Sequence, residues 1–111
     1  MIQIDLKYAE RTGLTLKGHA GFAAAGSDIV CAACTTLAYA VANGIQAMWQ
    51  DGVLEEQPKI RMEPGNCLLE WQVAEGYEER QTIFLAAIAE TYDLLARSYP
   101  EHVQFHEYAG G

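Results

Sequence analysis

The sequence predicts an α+β fold in which two helices pack on a mostly antiparallel or mixed sheet of about five strands. Two kinds of hydrophobic periodicity support this fold. Apolar and polar residues alternate in several short segments, and apolar residues recur every three or four positions in two long segments. The elements follow one another in the order ββαββαβ. Because the chain has 111 residues, we expect a single domain over residues 1–111.

The chain begins with a predicted β-hairpin followed by a loop. Residues 2–8 alternate apolar and polar side chains, which is typical of a half-buried strand. Residues 14–17 alternate in the same way and are expected to pair with the first strand. Residues 20–27 contain two glycines, mostly small side chains and no charge. We therefore expect residues 20–27 to form a mobile loop.

A long apolar stripe predicts a helix over residues 28–50. Ser27 and Asp28 are both residue types that cap helix N-termini. The Asp51-Gly52 pair ends the pattern, as expected for a helix C-terminus. The apolar residues of the stripe recur at spacings of three and four: Val30, Cys34, Leu37, Val41, Ile45 and Met48.

A second hairpin, a second helix and a last strand complete the predicted fold. Residues 58–63 form a short strand, and Pro64-Gly65 fits the central positions of a type II turn. A helix is expected over residues 77–98 and a strand over residues 102–108. The strand that follows the turn carries four side chains on one face: Cys67, Leu69, Trp71 and Val73.

The charge of the chain restricts its partners. There are 7 Lys+Arg against 15 Asp+Glu, and the formal net charge is −8. This charge would repel a phosphate backbone, so nucleic acid is not expected as a direct partner. Acids and bases balance over residues 1–50, and the excess of acid therefore lies in residues 51–111. A basic peptide or protein partner fits this distribution better.

The sequence also predicts where the protein acts. We find no run of about 18 apolar residues to span a bilayer, and the N-terminus lacks the pattern of a signal peptide. A membrane partner is therefore not expected, and the cytoplasm is the expected location. The three cysteines are an odd number, and a reducing compartment would keep them as thiols.

Cys31 is the cysteine best placed for chemistry. It lies in the first turn of the predicted helix, where free N–H groups and the helix dipole favour a thiolate. Cys34 lies on the apolar stripe and Cys67 on the apolar strand face, so both are expected to be buried. His19 ends the second strand directly before the loop that leads to Cys31. The strand end and the helix start can meet in space.

A cysteine and a histidine are the minimum for cysteine nucleophilic catalysis. The imidazole takes the thiol proton, the thiolate attacks a carbonyl, and the imidazolium protonates the leaving amine. Backbone N–H groups at the helix start could hold the oxyanion. Asp28 either bonds His19 or caps the helix. His102 and His106 lie about 13 Å apart along a strand, too far for one metal ion, and are expected to face solvent.

Two motifs together carry a resemblance to a known family. They are separated by twelve residues, counted from His19 to Cys31: Gly18-His19-Ala20 and Gly26-Ser27-Asp28-Ile29-Val30-Cys31-Ala32-Ala33. The chain resembles the ribosomal-processing cysteine protease family, called Prp or YsxB-like. The resemblance implies a homodimeric cytoplasmic protease that removes a short N-terminal extension from the twenty-seventh large-subunit ribosomal protein. We expect no metal or cofactor.

The resemblance also implies roles for individual residues. His19 and Cys31 would form the catalytic dyad, and Asp28 matches the aspartate of the family motif. Thr35 stands where family members often carry serine, and it keeps the hydroxyl. Within the loop, three residues would order over bound peptide: Gly21, Gly26 and Ser27.

Three other functions fit parts of the sequence. Cys31-Ala-Ala-Cys34 is the spacing of a thiol–disulfide oxidoreductase, in which Cys31 attacks and Cys34 resolves. A zinc site would need His19 and Cys67 as further ligands, but Cys67 is expected in the core. A non-enzymatic adaptor would use the acidic half of the chain to bind basic ribosomal proteins.

Overall fold

The computed structural model describes residues 1–24 and 26–110. Its helices and strands confirm the predicted order and the α+β fold. They are β1 (Ile2–Tyr8), β2 (Thr12–Lys17), α1 (Ile29–Gln50), β3 (Lys59–Glu63), β4 (Asn66–Trp71), α2 (Glu78–Ser98) and β5 (Val103–Ala109).

The five strands form one mixed sheet in the order β3-β4-β2-β1-β5. Only β1 and β5 are parallel, whereas the other neighbours are antiparallel. β2 is therefore the central strand, between β1 and β4. The register of β2 and β4 pairs Lys17 with Asn66, so the end of β2 lies beside the turn between β3 and β4.

β2 begins earlier than the alternation predicts, at Thr12. The side chain of Thr12 is buried and accepts a hydrogen bond from Nε2 of Gln81 at 3.2 Å. Gln81 also accepts a hydrogen bond from Nε1 of Trp71 at 2.6 Å. The strand itself is extended by the pairing of Thr12 with Trp71 and of Gly13 with Glu70 in β4, and a pattern confined to one segment does not contain that information.

The apolar face of the sheet is covered by the helices. β1 and β2 contribute alternate side chains that are almost fully buried, as the period-2 pattern predicts. The stripe of α1 is also buried, except that Leu37 is only half-buried. Tyr92 of α2 lies in the same core, where its hydroxyl donates to the carbonyl oxygen of Cys34 at 3.1 Å. This bond links the two helices next to the site described below.

The expectation that no segment is long and apolar enough to span a membrane is wrong for α1. Within the described residues, it is the one helix that is long and apolar enough to cross a membrane by length and composition. None of its 22 residues is charged. Its alanines make the helix apolar although it contains no long run of large apolar side chains. The buried stripe of α1 packs on the sheet, as in core helices that satisfy the same two criteria.

Asp28 caps α1 and also binds the preceding loop. Its Oδ1 accepts a hydrogen bond from the backbone N–H of Cys31 at 2.8 Å. Its Oδ2 accepts from the N–H groups of Phe22 at 3.0 Å and Ala23 at 3.4 Å. These bonds, the one from Cys31 foremost, hold the pKa of the Asp28 carboxyl below its ordinary value of 3.8.

We expect the start of α1 to loosen in acid. Because the folded-state pKa of Asp28 is lowered, its contribution to stability is present above the unfolded pKa and is lost as the pH falls through the folded pKa. The backbone amide signals of Phe22, Ala23 and Cys31, followed by NMR from about pH 6 to about pH 2, should shift together with that titration. The Asp28→Asn variant has no carboxyl to titrate, and identical acid shifts in both proteins would contradict the assignment.

Candidate active site

Cys31, Thr35 and Tyr39 lie along one side of α1. They are spaced four residues apart, which places them above one another on a helix. Cys31 is half-buried, whereas Cys34 and Cys67 are buried, as the sequence predicts for these two. Cys31 is therefore the only one of the three thiols with substantial exposure to solvent.

His19 follows directly on β2. It comes after Gly18, which has a φ of +90°. A β-carbon built on Gly18 would lie 2.5 Å from the carbonyl oxygen of Met1, so only glycine fits there. His19 itself is exposed. The chain thus turns out of the sheet at Gly18 and presents the imidazole at the edge of the fold.

Two cavities share a wall made of His19, Cys31 and Thr35. The first has a volume of about 270 Å³ and is lined mainly by apolar side chains of the sheet and α1, with Glu63 and Asn66 adding polar groups. The second has a volume of about 480 Å³ and is formed with the loop, including Asp28. Within residues 1–24 and 26–110, no hydrogen bond joins the side chains of His19 and Cys31. Both residues nevertheless line each of the two cavities.

The residues expected to order over peptide do not all lie at these cavities. Gly21 and Gly26 line the second cavity, both with positive φ. Ser27 lines neither cavity, and its N–H donates to the carbonyl oxygen of Ala24 at 3.0 Å in a tight turn. Ala25, part of the loop predicted over residues 20–27, lies outside the described residues. The mobility of the loop stays a prediction.

The structure decides between the two roles considered for Asp28. Both carboxylate oxygens accept backbone N–H groups, and none of the hydrogen bonds in the described parts of the chain joins Asp28 to His19. Asp28 therefore caps the helix. The N–H of Ala32 is also used, since it donates to the carbonyl oxygen of Asp28 at 3.0 Å. Among the N–H groups at the helix start, which were expected as donors to an oxyanion, those of Cys31 and Ala32 already have acceptors within the chain.

The two buried thiols are poor nucleophiles. Burial raises the pKa of the Cys34 thiol to about 11, and the nearby Cys31 and Asp28 add to the effect. Burial also raises the pKa of Cys67, whose thiol donates to the carbonyl oxygen of Glu63 at 3.7 Å. A resolving thiol attacks as the thiolate, and a raised pKa leaves little thiolate at neutral pH. This environment of Cys34 disfavours the oxidoreductase reading.

His102 does not face solvent as expected. It is half-buried, and its Nδ1 donates to the carbonyl oxygen of Ala20 at 2.9 Å. The ring of Phe22 meets His102 and Tyr99 edge-on, with centroid distances of 5.4 and 5.7 Å. The beginning of the loop therefore rests on the connection between α2 and β5. His106 is exposed, with Nδ1 at 3.6 Å from Oδ1 of Asp5.

The residues that sequence reasoning missed lie on the first cavity. Tyr39, Glu63, Asn66 and the Pro64-Gly65 turn join the wall that contains Cys31. The turn was predicted, but the pairing of β2 with β4 that brings it to His19 leaves no local signal. In the described residues, no group of three or more His, Cys, Asp and Glu side chains could hold a metal ion.

Comparison with solved structures shows a shared fold. The ribosomal processing protease Prp from S. aureus, in complex with a covalently linked product peptide, is 20% identical with a TM-score of 0.73, over 96% of this chain and 99% of that chain. The same protease in complex with a substrate peptide is 17% identical with a TM-score of 0.67, over the same shares of both chains. SMU.848 from Streptococcus mutans is 22% identical with a TM-score of 0.70, over 99% of this chain and 96% of that chain.

Comparison with protein families identifies the chain more directly. A search of curated proteins gave no match. The family model described as cysteine protease Prp matches residues 1–104, which include both sequence motifs and all five strands at least in part. The chain belongs to the family of cysteine protease Prp.

Proposed function

We propose that this protein is a cysteine endopeptidase that removes a short N-terminal extension from a large-subunit ribosomal protein, the twenty-seventh, during ribosome maturation. The observation that carries the proposal is the position of Cys31 and His19 on the shared wall of two cavities. An endopeptidase must hold its substrate on both sides of the bond it cuts, and the two cavities offer one space for each side. The S. aureus relative has been crystallised with substrate and product peptides.

The reaction we propose begins at the sulfur of Cys31. His19 takes the thiol proton, and Sγ forms a bond to the carbonyl carbon of the scissile peptide. The carbon–nitrogen bond then breaks, and His19 gives its proton to the leaving amine. A water molecule, deprotonated by His19, attacks the resulting thioester. The second peptide leaves as a carboxylic acid and the thiol of Cys31 is restored.

Thr35 is the donor we assign to the developing oxyanion. The hydroxyls of Thr82 and Thr91 donate to the carbonyl four residues earlier, at 3.0 and 2.8 Å. In the described residues the Thr35 hydroxyl makes no such bond, and it lies on the wall shared by both cavities. Its hydroxyl is thus available to a substrate carbonyl next to Cys31. Asp28 supports catalysis indirectly, because it fixes the backbone of Cys31 at the helix start.

The charge of the protein suits a basic substrate. Glu63 borders the first cavity and Asp28 the second, and the chain as a whole carries a net charge of −8. Ribosomal proteins bind RNA and are generally basic, so long-range attraction would speed their encounter with this protein. The same charge disfavours direct contact with nucleic acid. We place the reaction in the cytoplasm, where the three free thiols would stay reduced.

We further propose that the protein is a homodimer that pairs through the outward side of α1. Two copies that each carry −8 repel one another, so they are most readily joined through an uncharged surface. α1 carries no charge along its length. Its outward side exposes four small uncharged residues at spacings of three and four: Thr36, Ala40, Asn43 and Ala47.

We expect Cys31 to be the reactive thiol. Burial raises the pKa of the Cys34 thiol to about 11, so this buried thiol is almost entirely protonated at pH 7. Iodoacetamide should therefore alkylate Cys31 at least about tenfold faster than Cys34 in the folded protein at neutral pH. Peptide mapping by mass spectrometry measures both rates, and denatured protein serves as the control. Equal rates in the folded state would contradict an activated thiolate at Cys31.

Cleavage of the host's precursor ribosomal protein tests the proposed function. The wild type and Cys34→Ala should remove the N-terminal extension, which intact mass spectrometry follows over time. Cys31→Ala should give no product, and His19→Ala should be slower by roughly 10²–10⁴-fold because general base catalysis is lost. Loss of activity in Cys34→Ala would favour the redox reading. Binding of the precursor without any product, even by the wild type, would favour the adaptor.

A charge placed on α1 tests the proposed dimer. Ala47→Arg should shift the protein towards monomer in analytical ultracentrifugation, because a cation on each copy would be buried in the interface. Ala87→Arg is the matched control, since Ala87 is exposed on α2, a helix that already carries charges. A dimer that survives Ala47→Arg would exclude this interface, and dissociation with Ala87→Arg would place it on α2 instead.

A further inference from the structure

The ring of His19 lacks the hydrogen-bonded partner that usually orients a catalytic imidazole. Its side chain is exposed, and no hydrogen bond to it is present in residues 1–24 and 26–110. Asp28, the carboxylate nearest to it in the sequence motif, uses both oxygens for backbone N–H groups. A general base must nevertheless stay in one place to take a proton efficiently. Packing against a neighbouring group is another way to hold the ring.

The backbone that lies against the ring is that of Gly65. A β-carbon built on Gly65 would lie 2.7 Å from Nε2 of His19, 3.1 Å from Cε1 and 3.4 Å from Cδ2. Real β-carbons essentially never approach a neighbour as closely as 2.7 Å. The imidazole therefore occupies the space that any other side chain at position 65 would need. Its Nε2 edge is the part of the ring nearest to the turn.

The turn that carries Gly65 is fixed to the strand that carries His19. The N–H of Gly18, the residue before the histidine, donates to the carbonyl oxygen of Gly65 at 3.0 Å. Next to this bond, Lys17 pairs with Asn66 in the ladder between β2 and β4. Gly65 has a φ of +71°, as expected for the third position of a type II turn. The position of the turn relative to the imidazole is thus set by the sheet.

We propose that Gly65 is a positioning residue for His19. Its bare Cα gives the imidazole a surface to rest on, and the ladder bonds keep that surface in register with the base. In other catalytic dyads a carboxylate or amide orients the imidazole through a hydrogen bond. Gly65 orients the imidazole of His19 through packing. Since it takes His19 as the catalytic base, the proposal rests on the proposed function.

The test compares Gly65→Ala with Gly52→Ala. Gly52 also has a positive φ, of +76°, but nothing lies within 4 Å of a β-carbon built there. Both variants carry the same backbone strain, and only Gly65→Ala displaces the ring. Because the exposed ring can swing away, we expect similar melting temperatures. We expect kcat for the precursor to fall by roughly 10–100-fold in Gly65→Ala, with KM little changed, and to stay at the wild-type value in Gly52→Ala.

An NMR titration of the His19 ring provides a readout that does not depend on activity. The ring signals of His19 and their pH profile should change in Gly65→Ala and remain as in the wild type in Gly52→Ala. Identical kcat and identical His19 signals in the two variants would overturn the proposal, and so would a shifted ring with an unchanged kcat. A wild-type protein that cleaves no peptide would overturn the proposed function, while the titration would still show whether Gly65 positions the ring.

A second variant covers the case in which Gly65→Ala does not fold. Asparagine tolerates a positive φ better than alanine but still places a β-carbon against Nε2. Gly65→Asn should therefore lower kcat and shift the His19 signals in the same direction. The matched control is Gly52→Asn, which we expect to behave as the wild type in both measurements.

Discussion

The pairing of β2 with β4 brings the two halves of the chain together. β2 belongs to the first hairpin and ends two residues before the histidine, and β4 belongs to the second hairpin and begins just after the Pro64-Gly65 turn. Their antiparallel register places the end of one strand beside the start of the other. Because α1 leaves from the same edge through the loop, the histidine, the cysteine and the turn meet in one place. A shift of one of these strands by one residue would also move its buried side chains to the exposed face of the sheet.

The same few backbone N–H groups at the start of α1 can stabilise the fold or bind a substrate. Backbone N–H groups at a helix N-terminus can satisfy a capping side chain, a loop or a bound oxyanion, but one N–H forms only one strong bond at a time. In this structure Asp28 occupies the N–H of Cys31 and two N–H groups of the loop. The helix and the loop are thereby joined through one carboxylate. The hydroxyl of Thr35, one turn further along the helix on the cavity wall, is the donor we propose for a substrate oxyanion.

The molecule has acidic surfaces and one uncharged helix surface. The excess of acid lies in residues 51–111, whereas α1 has no charge in 22 positions. Acidic side chains reach both cavities, at Glu63 in one and Asp28 in the other. A basic peptide would be attracted towards the cavities, and a second acidic copy would be repelled except along α1. The proposed substrate and the proposed dimer therefore use different parts of the surface.

The sequence by itself determined the secondary structure and which of the three cysteines are buried. Alternation and helical spacing are local consequences of how side chains project from strands and helices, so they located every element to within about two residues. The same patterns placed Cys34 and Cys67 in the core and left Cys31 at the helix start. The tertiary structure alone decided the partners of individual side chains. The burial of His102 against Ala20 and the contact of Gly65 with His19 join residues from different elements. Such contacts depend on strand register and loop path, which arise from packing between segments distant in sequence and leave no periodic signal within either segment.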